Sequence, residues 1–159
     1  MIAMPDYSNT EFVIYATNAE RFLSVVLGLL EKVHSSGKRC IFFSPLEERI
    51  KVVDKALWTF STNAFIPHGD KKLGFCDQQP IYFTDVRENP NKATVLMMLD
   101  SFDYSIWEND FEKIIFVVDS GLQDKTQLAV IDELRSDLKK NTKNVKYWEH
   151  SSKGWIKLT

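Results

Sequence analysis

The sequence predicts an α/β fold, a sandwich of helices around a largely parallel central sheet. Short apolar runs suited to buried strands alternate with stretches whose apolar residues recur every three or four positions, as on one helical face. The chain has 159 residues, and neither an internal repeat nor a linker-like segment divides it. We therefore expect one α/β domain over residues 1–159.

The first strand is predicted over 12–16 and leads into a helix. Thr17 and Glu20 have the spacing of a capping box, in which each side chain bonds to the backbone amide of the other residue. Gly37 is placed to end the helix in the left-handed conformation. The apolar residues of this helix share one face: Phe22, Val25, Val26, Leu29, Leu30 and Val33.

A second strand is predicted over 38–44 and a second helix directly after it. Ser44 and Glu47 repeat the capping-box spacing, with Pro45 at the first helical position, where its missing N–H is harmless. The apolar stripe of this helix consists of Leu46, Ile50, Val53 and Leu57. A long loop follows, broken by Pro67 and Gly69.

The second half of the chain continues with strands and a final helix. Strands are predicted over 81–85, 94–100 and 114–119. Asp124 is placed to cap a helix that ends near Asn141 and carries the apolar residues Leu128, Ile131, Leu134 and Leu138. Two short edge strands are expected over 144–150 and 154–159.

Composition excludes several classes of protein. The chain has 20 Lys and Arg residues against 22 Asp and Glu residues, a net charge of −2, so it is not a strongly basic protein. Neither a signal peptide nor an apolar run long enough for a membrane span is present, and we expect a soluble, cytoplasmic protein. Cys40 and Cys76 lie far apart without metal-ligand spacing, so reduced thiols are expected and zinc is not.

The sequence shows little that would support catalysis. The first strand-to-helix turn contains no glycine, and neither a phosphate loop nor a nucleophile elbow occurs. His34, His68 and His150 stand in unrelated contexts. We expect a non-catalytic protein with no cofactor, no metal and no catalytic residues. The alternative is a nucleotide-binding α/β enzyme with an atypical phosphate loop.

Charge is distributed unevenly along the chain. Residues 81–112 carry a net charge of −5, whereas residues 135–159 carry +5. Arg135 and Lys139 share a face of the last helix, and Lys143 follows its end. Such a cluster has two explanations, which the residues leave open. It either stabilises the end of a helix and an edge strand, or binds an acidic peptide or a phosphate backbone.

A set of aromatic residues lies in predicted loops and at the ends of predicted elements: Trp58, Phe60, Phe65, Trp107, Trp148 and Trp155. Core packing is the default for each of them. Because Trp is enriched at protein interfaces, several together favour a binding module over an enzyme.

The region from Gly37 to Asp70 resembles the signature region of the chi subunit of bacterial DNA polymerase III. The family pattern is G-K-[RK], an apolar strand, a helix with D-x-x-L-W, and F-[IVL]-P-H. The matching residues here are Gly37, Lys38, Arg39, Asp54, Leu57, Trp58, Phe65, Ile66, Pro67 and His68. The resemblance is strong over 37–85 and weak beyond about 120.

The resemblance implies a Rossmann-like, three-layer fold without a P-loop and a non-catalytic accessory subunit. Chi proteins bind the acidic C-terminal tail of single-stranded DNA-binding protein, which ends in Phe, and many also bind the psi subunit that joins them to the clamp loader. The implied tail pocket here is Phe65, Val118, Arg135 and Lys139, with Lys143 close by. The resemblance leaves Asp54, Trp58, Pro67 and His68 to serve either the fold or a partner. It implies that nucleic acid is contacted mainly through the tail protein, whereas direct DNA binding by the same lysines is a further possibility.

Overall fold

The computed structural model of the protein describes residues 7–60, 66–107, 111–119, 125–142, 144–151 and 154–158. Its helices are α1 (Ala19–Ser35), α2 (Glu47–Thr59) and α3 (Lys125–Asn141). Its strands are β1 (Glu11–Thr17), β2 (Cys40–Phe43), β3 (His68–Gly69), β4 (Ile81–Thr84), β5 (Val95–Met98), β6 (Lys113–Asp119), β7 (Val145–Ser151) and β8 (Gly154–Leu158).

These strands form one sheet in the order β3-β4-β2-β5-β6-β1-β7-β8. Neighbouring strands are parallel except β7 and β8, which are antiparallel. Alternate residues of each buried strand face opposite sides, so the sheet separates two apolar layers. One layer packs against α1 and α2 and the other against α3. The predicted three-layer α/β sandwich is therefore confirmed.

The entry into α1 differs by one residue from the prediction. Thr17 pairs with Asp119 as the last residue of β1, so its backbone belongs to the strand. The helix is capped by Asn18, whose Oδ1 accepts a hydrogen bond from the Arg21 amide at 3.0 Å. The predicted end is confirmed, since Gly37 follows the helix with φ of 78°.

The predicted capping box of α2 is wrong. The helix begins at Glu47 after the N-cap residue Leu46, which is 53% exposed and lies outside the apolar stripe. The Ser44 hydroxyl accepts from the Leu46 amide at 3.1 Å and donates to Asp100 at 2.9 Å. Ser44 thus joins the ends of β2 and β5 instead of capping a helix. Val53 and Leu57 are buried as predicted.

Two details of the predicted pattern also change, and one aromatic residue of the predicted set takes its default place in the core. β3 lies within the region predicted as a long loop, since its two residues are too few to give an apolar pattern. β7 is an inner strand between β1 and β8, so only β8 of this pair is at the edge. Trp107 is 2% exposed and packs edge-on against Phe43 and Phe111, so it belongs to the core.

The last helix agrees with its predicted pattern where side chains are described. Ile131, Leu134 and Leu138 are buried against the sheet, and α3 ends at Asn141. Asp124, predicted to cap this helix, lies outside the described residues.

The two cysteines are free thiols, as expected. Burial raises the pKa of the Cys40 thiol to about 12. Across the described ranges, no three His, Cys, Asp or Glu side chains are grouped to hold a metal ion. None of the helices described is both long and apolar enough to cross a membrane.

Candidate functional site

The exposed side of α3 meets β7 through a stacked pair of side chains. The Arg135 guanidinium carbon lies 4.4 Å from the centre of the Tyr147 ring. A cation at this distance over an aromatic face is attracted by the ring electrons. Tyr147 is 8% exposed and Arg135 is half-buried, so the ring holds the guanidinium at the surface. Sequence reasoning identified Arg135 and missed Tyr147, although the alternation of Val145 and Tyr147 along β7 places both on the α3 side.

The other predicted pocket residues lie in different environments. Val118 is 4% exposed and belongs to the apolar layer beneath α3. Lys139 is exposed one helical turn beyond Arg135, as the spacing predicts. Leu138 between them is fully buried and belongs to the core. Lys143 lies outside the described residues.

The surroundings of Tyr147 contain charges of both signs. Burial raises the pKa of the Tyr147 hydroxyl, and the carboxylate of Glu149 raises it further, whereas Arg135 lowers it. Asp132 on α3 adds a smaller effect in the same direction as Glu149. The cation of Arg135 therefore stands among carboxylates that moderate its attraction for an anion.

The D-x-x-L-W and P-H motifs meet where α2 packs beside β3. The buried His68 ring lies 4.5 Å from the Trp58 ring and 5.5 Å from the Phe83 ring, measured between centres. Its Nδ1 donates to the Ile66 carbonyl at 2.7 Å, and its Nε2 lies 2.8 Å from an Asp54 carboxylate oxygen. His68 therefore joins α2, β3 and the loop before β3. Trp58, the outer member of this cluster, is 51% exposed.

The structure does not bring the P-H motif together with α3. Ile66 packs in the α1–α2 layer, and β3 lies at the edge of the sheet, six strand positions from β7. At about 4.8 Å per strand, that is about 29 Å along the sheet. Pro67 is half-buried at the same edge. Phe65 lies outside the described residues.

The G-K-R motif has a structural role in the described residues. Gly37 supplies the left-handed turn, and Lys38 pairs with Glu112 at 2.6 Å. Arg39 donates to the backbone carbonyls of Asp77 and Asn91 at 2.8 and 3.0 Å, which fixes two loops beside β2. These contacts explain the motif without a ligand.

The carboxyl edge of the sheet, where parallel α/β proteins bind nucleotides, is occupied by the protein's own side chains. Asn18 bonds to the Arg21 amide of α1, a position that a phosphate would otherwise approach. Arg49 binds Asp100 through two hydrogen bonds of 3.1 and 3.2 Å, and Ser44 also donates to Asp100. These pairs disfavour the nucleotide-binding alternative.

The fold and this edge define a Rossmann-like α/β sandwich whose first strand-to-helix turn is closed by an asparagine cap instead of a glycine-rich phosphate loop. Comparison with known proteins identifies the family. The model of the DNA polymerase III chi subunit, HolC, matches residues 8–129. The "Probable DNA polymerase III subunit chi" of Rickettsia prowazekii (strain Madrid E) is 35% identical over 115 residues, which cover 69% of this chain and 70% of that protein. The chain belongs to the family of DNA polymerase III chi subunits.

The matched region includes the motifs of α2 and β3 but ends within α3, before Arg135 and Lys139. The family model thus covers about three quarters of the chain, residues 8–129. Arg135, Lys139 and β7 lie outside the region that the family model matches.

Proposed function

We propose that this chain is a non-catalytic accessory subunit of DNA polymerase III that binds the acidic C-terminal tail of single-stranded DNA-binding protein. The residues proposed to contact the tail are Arg135 and Lys139 on the exposed side of α3, together with Val118 and Lys143 of the predicted set. Nucleic acid would be contacted mainly through the tail protein, which a cytoplasmic replication subunit meets at single-stranded DNA.

The stacking of Arg135 on Tyr147 is the observation that carries this proposal. A guanidinium presents a planar fork of donors that matches a carboxylate, and such charge-assisted pairs are stronger than neutral hydrogen bonds. Because the ring already orients the guanidinium, less conformational entropy is lost when a carboxylate binds. Lys139, one turn away, adds a second cation for the aspartates of the tail.

A second surface is proposed for psi or the clamp loader, beside α2 and β3. Trp58 exposes half of its surface there and rests on the buried His68 ring. A large aromatic side chain that a rigid neighbour keeps exposed to solvent is typical of a residue that anchors an interface. Residues 66–68 lie far from α3, so the tail proposal rests on Arg135 and Lys139, with Val118. Phe65 lies outside the described residues, and its part in the pocket stays a prediction.

Titration of the full chain with a fluorescent peptide ending in Asp-Ile-Pro-Phe tests the tail proposal. We expect saturable binding that weakens as salt is added, because the contacts are ionic and partly exposed. The same peptide without its terminal Phe should bind at least tenfold more weakly. Equal binding of both peptides, or binding of neither, would falsify the proposed function.

The matched control for this titration is Lys55→Glu. Lys55 is exposed on α2, so the substitution changes the net charge as Lys139→Glu does but leaves α3 intact. Lys139→Glu should weaken binding of the peptide, whereas Lys55→Glu should leave it unchanged. An equal effect of both would mean that only the net charge attracts the peptide.

A further inference from the structure

The sheet extends beyond α1, and this leaves a groove on the α1 side of β7 and β8. We call it the α1–β8 groove. It has a volume of about 770 Å³, its wall is one side of α1, and its floor is formed by β1, β7 and β8. Helix α3 packs on the opposite face of the sheet, so it does not cover this floor. No motif discussed above lies in the groove.

Aromatic rings from three adjacent strands form the floor. Tyr15 of β1 and Trp148 of β7 are half-buried, and Trp155 of β8 is 39% exposed. The Trp155 ring packs edge-on against Tyr15 at 5.5 Å and against His150 at 4.8 Å. Edge contacts of this kind hold the rings in place. The Lys157 ammonium lies over the Trp148 ring, 6.0 Å from its centre, and adds a further cation beside the aromatic floor.

The groove is rich in cations. Arg21 and Lys32 contribute from α1, and Lys113 and Lys146 contribute from the strands. Among the described residues that line the groove, Glu11 is the one carboxylate, and Lys146 already pairs with it at 2.9 Å. For Lys32 and Lys113, no carboxylate partner occurs within the described ranges.

These cations are spread along the groove instead of converging at one end. Arg21 lies near the start of α1, where its guanidinium is 3.0 Å from a His150 ring nitrogen, and Lys32 lies near the end. They are eleven positions apart along the helix, a rise of about 17 Å. A smaller cavity of about 350 Å³ shares Lys32 and Lys113 and continues to Lys38.

We propose that the α1–β8 groove binds single-stranded nucleic acid directly. Proteins that hold single strands combine a positive groove along the backbone with aromatic side chains on which bases stack. Three rings on a sheet surface can stack two or three bases. An acidic peptide with a free carboxylate is a poorer match, because it needs cations gathered around one end and an apolar pocket. The inference is independent of the proposed tail site on α3.

Fluorescence anisotropy of a labelled oligothymidylate of about 12 nucleotides, a length within the site sizes of such proteins, is the test. We expect weak binding, with a dissociation constant of about 1–100 μM at physiological salt. If the protein contacts about three phosphates, a plot of the logarithm of the association constant against the logarithm of the salt concentration should have a slope near −2. Stacking on Trp148 and Trp155 should quench tryptophan fluorescence, and a duplex of equal length should bind more weakly. An oligouridylate in parallel distinguishes RNA from DNA as the preferred strand.

Two variants test the location. Lys32→Glu reverses a charge in the groove, with Lys55→Glu as the control of equal charge outside it. Gly28→Leu fills the groove without a change of charge, because nothing lies within 4 Å of a side-chain atom built at Gly28. Each groove variant should weaken the oligonucleotide at least tenfold, and Lys55→Glu less than twofold. Circular dichroism and the unfolding midpoint check that both variants are folded.

Four results would overturn the proposal. The first is that the oligonucleotide does not bind even at millimolar protein. The second is that Lys55→Glu weakens its binding as much as Lys32→Glu does, and the third is that Gly28→Leu leaves its binding unchanged. The fourth is a change of oligomeric state in Gly28→Leu, which would indicate that a second copy of the chain occupies the groove. A fifth result would also overturn it: if the tail peptide displaces the oligonucleotide and loses affinity with Gly28→Leu, the groove is a peptide site. Arg135→Ala should not affect the oligonucleotide, so this proposal and the tail proposal can fail separately.

Discussion

Arg135 lies over the face of Tyr147, with 4.4 Å between the guanidinium carbon and the ring centre. The contact crosses from α3 to β7, so helix and sheet together set the direction of the guanidinium. A lysine at this position would keep the charge but lose both the planar stacking and the two-pronged contact with a carboxylate.

Arg135→Lys should therefore weaken the tail peptide almost as much as Arg135→Ala. We expect a loss of about 1.5–3 kcal/mol for the alanine variant, the range for hydrogen bonds to charged groups. The fluorescent peptide titration measures both. If the lysine variant binds as well as the wild type, charge alone attracts the tail and the stacked geometry has no part in it.

Glu149→Gln should strengthen binding of the same peptide. The Glu149 carboxylate lies near enough to raise the pKa of Tyr147, so it also repels an acidic ligand at this surface. Because Glu149 is exposed, the gain should be modest, about 0.2–1 kcal/mol. Glu31→Gln on α1 is the matched control and should leave affinity unchanged. Weaker binding by Glu149→Gln would place the tail elsewhere.

His68→Ala should destabilise the fold by about 2–4 kcal/mol. It empties the space between the Trp58 and Phe83 rings and removes the bond to the Ile66 carbonyl. Urea unfolding at equal m-value measures the loss. Trp58→Ala, at a half-exposed position, should lower the free energy of unfolding by only about 1 kcal/mol. The same variant should retain less clamp loader when the protein is used to capture it. A His68→Ala variant as stable as the wild type would contradict the structural role assigned to the ring.

Gly37 and Gly28 should respond oppositely to alanine. Gly37 has a φ of 78°, so Gly37→Ala should cost about 1–2 kcal/mol. Gly28 lies within α1 with open space around it, so Gly28→Ala should stabilise by up to about 1 kcal/mol. Thermal unfolding of the two variants makes the comparison. Destabilisation by both would indicate that Gly28 also has a packing role.

The ion pair of Lys38 and Glu112 should stabilise the fold near neutral pH and lose this contribution in acid. The hydrogen bond from Lys38, its charge and a bond from Thr94 hold the pKa of Glu112 below its ordinary value of 4.5. A lowered folded-state pKa means that the contribution is present above 4.5 and is lost as the pH falls through the folded value. The effect should be small, since both side chains are exposed.

Titration of the Glu112 carboxyl by NMR checks this assignment. In Lys38→Ala the Glu112 pKa should rise toward the ordinary value of glutamate, and the difference in stability from the wild type should disappear in acid. An unchanged Glu112 pKa would show that the pair does not form in solution.

The apolar pattern was enough to predict most of the fold. Runs such as 114–119 and the stripe from Phe22 to Val33 depend on the hydrophobic effect and on local periodicity, which a sequence displays directly. The caps were less predictable, because Thr17 is the last residue of β1 and the Ser44 hydroxyl bonds to Asp100 and to the Leu46 amide. Trp107 looked like a loop residue, and only the packing of distant residues buries it.

The candidate sites were predicted in part. The charge cluster and its spacing indicated Arg135 and Lys139, but Tyr147 beneath Arg135 comes from another element. The α1–β8 groove could not be predicted, since its aromatic and basic residues come from α1, β1, β6, β7 and β8. It exists because β7 and β8 join the sheet beyond the reach of α1, which is a matter of strand order.

That strand order has a mechanical consequence. β3 and β7 stand near opposite ends of one hydrogen-bonded sheet. Consider a complex that holds one protein at Trp58 and another at Arg135. Tension between these two proteins would act across the strands, so each hydrogen-bonded pair of strands, or ladder, between them would carry it. Each ladder along this line is parallel, and helices lie over both faces. The shortest pairing, β3–β4 with two paired positions, lies outside this line because Trp58 belongs to α2, so tension would load the packing of α2 and the longer pairings between β2 and β7.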